Sequence, residues 1–105
     1  MPEAVVVAAT RSPIGRANKG SLVDMRPDDL ATQVVTSLME RSGVESTEVE
    51  DLIMGCGQPA GESGYNIGRV VAFEAGMPDV PGVTVNRYCS SSLQTTRTAA
   101  HAIKA

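Results

Sequence analysis

The sequence predicts an α/β fold: three strands and three helices in the order β-α-β-α-β-α, with a mostly parallel sheet. Two observations predict it. Short apolar runs lie at Ala4–Ala9, Asp51–Cys56 and Gly82–Asn86, and longer segments of helical character follow each of them. Strict alternation of this kind implies a helix layer on a parallel sheet, with right-handed crossovers. The chain is 42% hydrophobic but only 3% aromatic and has no Trp, so Val, Ala, Leu, Ile and Met must build its core. Its 105 residues suffice for one small domain.

Ala4 to Ala9 is a continuous, Val-rich run and reads as a strand buried on both faces. Residues 10–26 carry Pro13, Gly15 and Gly20 with Arg11, Arg16, Lys19 and Arg26, which describes a long loop with solvated charge. Pro27 to Ser42 reads as a helix. Pro27 suits its first turn, Asp28 and Asp29 complement the dipole there, and Gly43 stops it. Leu30, Val34 and Leu38, with Ala31, Val35 and Met39, give it one apolar face.

Thr47-Glu48-Val49-Glu50 fits a capping box opening a short turn, and Asp51 to Cys56 is then the second strand. A glycine-bearing loop follows, but Gly57, Gly61 and Gly64 lack the GxGxxG spacing and make no phosphate motif. Asn66 is placed to cap a helix running from Ile67 to about Ala75, closed by Gly76 and Pro78. Gly82 to Asn86 is the third strand. The third helix begins near Ser90, and its Ser, Thr and Ala content suits close packing between neighbours.

Bulk charge excludes some functions. The net charge of −3 leaves no basic footprint for nucleic acid. No apolar run approaches the ~20 residues that cross a bilayer. Two cysteines outside any framework spacing suggest a reducing compartment, and the first residues resemble neither a secretory signal nor a basic presequence. A cytoplasmic location is the resulting expectation.

The chemistry concentrates in Val83-Thr84-Val85-Asn86-Arg87-Tyr88-Cys89-Ser90-Ser91-Ser92-Leu93-Gln94. A β-branched strand leads into Cys89, and a helix without breakers follows. A thiol at such a turn faces the free N–H groups of the helix start, which favour the thiolate. The thiolate is the nucleophile, so Cys89 suits covalent chemistry on an electrophile such as a thioester. Most buried cysteines are inert, and a packing role for Cys89 stands beside the catalytic one. Cys56, at the end of the apolar run Leu52-Ile53-Met54-Gly55, reads as packing. His101 lies on the same helix as Cys89, about 18 Å along it, and is a surface or helix histidine rather than a partner.

Ala99 to Ala105 carries no Gly or Pro stop and reads as a helix interrupted near its end. Three short parallel strands also leave unpaired sheet edges. The expectation is the opening piece of something larger.

Three stretches resemble the thiolases. They are Ala9-Thr10-Arg11-Ser12-Pro13-Ile14-Gly15, Pro59-Ala60-Gly61-Glu62 with Asn66 and Arg69, and the Asn86-Arg87-Tyr88-Cys89-Ser90-Ser91 motif. The resemblance runs from the first strand to the last residue. It implies a partial thiolase-like N-terminal domain over residues 1–105, with the second half of the fold and the loop domain absent. It implies an acyl-CoA C-acyltransferase in which Cys89 attacks an acyl-CoA and holds the acyl group. The carbanion of acetyl-CoA then attacks the acyl-cysteine, and the reverse reaction cleaves a 3-ketoacyl-CoA with CoA. The backbone N–H of Cys89 would stabilise the tetrahedral oxyanion.

The resemblance further implies acyl-CoA and CoA as partners, no bound cofactor or metal, and a homo-oligomer, dimer or tetramer. Ser92 stands where thiolases often carry Gly, and Tyr65 where many carry Gln, with one residue inserted nearby. The Gly-His-Pro, Cys-x-Gly and Asn-Glu-Ala-Phe motifs of the family lie beyond the matched region, so the chain alone is expected to be inactive. Two other readings are a β-ketoacyl synthase-like condensing enzyme and a non-catalytic lipid- or partner-binding α/β module.

Overall fold

The computed structural model describes residues 2–105. Helix α1 spans Pro27–Ser42, strand β1 Leu52–Gly55, helix α2 Ile67–Glu74, strand β2 Gly82–Val85 and helix α3 Ser91–Lys104. Single 3₁₀ turns lie at Ser46–Glu48, Gly61–Ser63 and Tyr88–Ser90. The two strands pair in parallel, Leu52 with Gly82 through Gly55 with Val85, and α2 is the crossover between them. A βαβ unit of this kind is what the alternating pattern predicts.

Local signals set the bounds of α1. Pro27 occupies the first helical position, and Asp28 and Asp29 lie in the first turn. Gly43 closes the helix in the left-handed region, donating its N–H to the Met39 carbonyl. The core is small and aliphatic. Ala72, Met77 and Val80 are buried, and Val35, Met39, Val49, Leu52 and Ala75 pack against them. Val71, also on α2, is fully buried. The core thus joins α1 and α2 to the start of β1, while α3 lies across both strands.

The first predicted strand is not formed. Residues 4–9 make no backbone ladder among the described residues, and Val5, Val6 and Val7 are exposed by 68%, 84% and 77%. Two-sided apolarity marks a strand covered on both faces, and here only Ala4 and Ala8 are half-buried while the valines between them are open. The segment is tied by Arg41, whose Nη1 donates to the Ala9 carbonyl at 2.8 Å. Ala4, Val5, Val6 and Ala8 form one wall of an open apolar groove of about 560 Å³, opposite Ile53 and Thr95, Ala99, Ala100 and Ile103 of α3.

Two capping expectations also change. No side chain caps the turn at Ser46–Glu48, and the turn starts one residue before the expected box. Asn66 precedes α2 but does not cap it. Its backbone is left-handed, with φ 56°, and its side chain faces β2 instead. Asn66 Nδ2 donates to the Gly82 carbonyl at 2.9 Å. Thr84 Oγ1 donates to Asn66 Oδ1 at 2.7 Å and accepts the Gly68 N–H at 3.0 Å. Asn tolerates the left-handed region, so the same residue type serves a clasp as readily as a cap.

Candidate active site

The turn that carries Cys89 begins where the sheet stops. The last rung is the Cys56 N–H donating to the Val85 carbonyl at 3.0 Å. Asn86 and Arg87 follow, and Tyr88 then takes a left-handed backbone, with φ 48°. One 3₁₀ turn, Tyr88–Ser90, feeds directly into α3. The β-branched run ends at Val85, and the chain reverses at Tyr88 before the run of serines that opens α3.

Three side-chain hydrogen bonds hold this turn. Asn86 Oδ1 accepts the Tyr88 N–H at 2.8 Å. Ser91 Oγ accepts the Arg87 N–H at 2.9 Å and donates to the Tyr88 carbonyl at 2.7 Å. Ser91 itself is 5% exposed. The backbone adds two bonds, from the Ser90 N–H to the Arg87 carbonyl and from the Ser91 N–H to the Tyr88 carbonyl.

Underneath lie two glycines, Gly55 at the end of β1 and Gly57 just beyond it. A Cβ on Gly55 would lie 2.7 Å from the Ser92 nitrogen and 2.9 Å from the Ser91 Cβ. A Cβ on Gly57 would lie 3.1 Å from the Tyr88 carbonyl oxygen. The glycines that bracket Cys56 therefore serve the Cys89 turn. From the sequence they read only as neighbours of Cys56, because the contact joins them to a turn and helix start some thirty residues further along the chain.

Cys89 is a free, exposed thiol, not a buried packing cysteine. Its N–H is bonded to no protein acceptor among the described residues, unlike those of Tyr88 and Ser90 on either side. Cys56 is half-buried and turned away, its Sγ lying 3.8 Å from the Ser63 carbonyl. His101 is exposed on the last turn of α3, as the spacing predicts.

The loop before α2 is anchored to α1. Arg26 Nη2 pairs with Asp28 at 3.0 Å, and its Nη1 reaches Glu62 at 3.2 Å. The Arg26 guanidinium holds the Asp28 carboxyl below the usual range, and Asp28 in turn raises Arg26. Of the four basic loop residues, Arg11, Arg16 and Lys19 are solvated as expected, but Arg26 is a structural tie. Tyr65 ends this loop 95% exposed and left-handed, with φ 56°.

The family model described as the thiolase N-terminal domain matches residues 4–105. The 3-ketoacyl-CoA thiolase of Bacillus subtilis (strain 168) is 47% identical over 104 residues, covering 98% of this chain and 27% of its own. The β-ketoadipyl-CoA thiolase of Acinetobacter baylyi is 46% identical over 107 residues, covering 100% of this chain and 26% of its own. Among solved structures, the acetyl-CoA acetyltransferase from Syntrophomonas wolfei superposes with a TM-score of 0.84 at 31% identity, over 97% of this chain and 25% of that one. The chain thus spans about a quarter of the length of these relatives. With its parallel βαβ unit, its Cys89 turn and a family match over nearly its whole length, the chain belongs to the thiolases.

Proposed function

We propose that this chain is the nucleophile-bearing part of an acyl-CoA C-acyltransferase, with Cys89 as the residue that carries the acyl group. The exposed thiol at the strand-to-helix turn of a thiolase-family fold is the observation that supports this most. The Cys89 thiolate adds to the thioester carbonyl of an acyl-CoA, and the carbonyl electron pair moves onto oxygen. The unpaired Cys89 N–H supplies one donor to that oxyanion. Collapse expels CoA as its thiolate and leaves the acyl group on sulfur. Loss of an α proton from acetyl-CoA gives a carbanion, which attacks the acyl carbon. Cys89 leaves as thiolate, and a 3-ketoacyl-CoA is formed. In reverse, Cys89 attacks the 3-ketoacyl-CoA, acetyl-CoA departs, and CoA takes up the acyl group.

Two protons must move, from the thiol and from the α carbon, and each needs a base. Among the described residues no side chain hydrogen-bonds the Cys89 sulfur, and His101 lies far along α3. We assign the bases to the parts of a thiolase beyond the quarter matched here. The same reading carries a homo-oligomer and, from the two free thiols, a reducing cytoplasmic location.

The test is acylation. Protein from its native source, treated with acetyl-CoA and digested with trypsin, is expected to carry one acetyl group on the peptide that follows Arg87. Cys89→Ala is expected to lose both this label and thiolysis of acetoacetyl-CoA. A label on Cys56, or thiolysis that survives Cys89→Ala, would overturn the assignment. The 105-residue chain by itself is expected to give no steady turnover.

A further inference from the structure

The Cys89 peptide is held from an unexpected side. Its N–H and the Tyr88 carbonyl belong to one planar unit and point in opposite directions. Fixing the carbonyl therefore fixes the N–H. The Tyr88 carbonyl accepts two bonds, from the Ser91 hydroxyl at 2.7 Å and from the Ser91 backbone N–H. The same hydroxyl takes the Arg87 N–H at 2.9 Å, so it spans the left-handed Tyr88 from both ends. Ser91 is buried, and the backbone of Gly55 lies against its Cβ. The hydroxyl is therefore confined while its donor and an acceptor position are both in use. No sheet hydrogen bond is left to do this work, because the ladder ends at Val85.

The geometry points to Ser91 as a positioning residue for acyl transfer: its hydroxyl aims the Cys89 N–H at the oxyanion. A carbonyl that accepts hydrogen bonds also polarises its peptide, which strengthens the N–H on the other side as a donor. Ser91 touches neither the substrate nor the sulfur in this scheme. It acts through the peptide between Tyr88 and Cys89. This rests on the acyl-transfer reading above, in which that N–H meets the oxyanion.

Two reactions of the same sulfur separate this role from simple support of the fold. Acylation by acetyl-CoA develops an oxyanion. Alkylation by iodoacetamide is a displacement at carbon and develops none. Removing a direct oxyanion donor costs on the order of 10²–10³ in rate, and misaiming one is expected to cost about tenfold. Ser91→Ala in the native-source protein is thus expected to slow Cys89 acylation about tenfold while alkylation stays within about twofold. Should Ser91→Ala fail to fold, Ser91→Gly also removes the hydroxyl, adds no second thiol and carries the same comparison. Unchanged acylation, or an equal fall in both reactions, overturns the role of Ser91. If wild-type Cys89 takes no acyl group at all, the acyl-transfer reading fails instead.

Discussion

The turn that carries Cys89 rests on residues that lack side chains. Gly55 and Gly57 let the start of α3 and the Tyr88 turn settle directly on the end of β1. Gly55→Ala places a methyl group against the Ser91 and Ser92 backbone, which cannot swing aside as a side-chain tip can. We expect it to cost about 1–3 kcal/mol, as overpacking does, measured by urea denaturation. It is also expected to lower Cys89 acylation, because the first turn of α3 must shift. The thiol position itself was legible in the sequence. A β-branched run, a cysteine and a helix without breakers are local signals. The bed was not legible, because Gly55 and Ser91 meet only through folding. Nor was the role of Asn66, since both a cap and a clasp favour its amide.

At the scale of elements, α1 runs from Pro27 through Ser42, as its sequence predicts. Its stop and start signals lie within the segment. Strands β1 and β2 formed inside their predicted runs and ended a residue short at the turn. The run at residues 4–9 failed as a strand, because a ladder needs a neighbour that its own residues do not supply. What ties α1 to the loop before α2 is ionic. Asp28 is a carboxyl held low by Arg26, so the stability it contributes is present above about pH 4 and lost as pH falls through its depressed value. Thermal melts between pH 7 and pH 2 are expected to show wild-type protein losing stability at the acid end. Asp28→Asn is expected to be less stable at neutral pH and flatter in that acid range.

Across the whole molecule, apolar surface is distributed unevenly. Val5, Val6, Val7, Leu93 and Ile103 are all at least half exposed, and the first and last of these segments border the same groove. Exposed apolar surface of this kind drives association. The 105-residue chain is expected to self-associate with rising concentration in sedimentation velocity. Val6→Lys with Ile103→Lys is expected to shift it toward monomer. Sedimentation unchanged by both substitutions would place the association elsewhere.

The pairing of β1 with β2 also sets a clock. Leu52 and Gly82 meet across some thirty residues of intervening chain, and closing such a loop comes later than forming local turns. Helix α3 can coil early, but the Cys89 turn has no bed until Gly55 and Gly57 arrive beneath it. A nascent chain therefore carries an ordinary cysteine first and an oriented one only after the parallel pair has zipped. The orientation of this thiol is a late product of folding, withheld until the scaffold that disciplines it is in place.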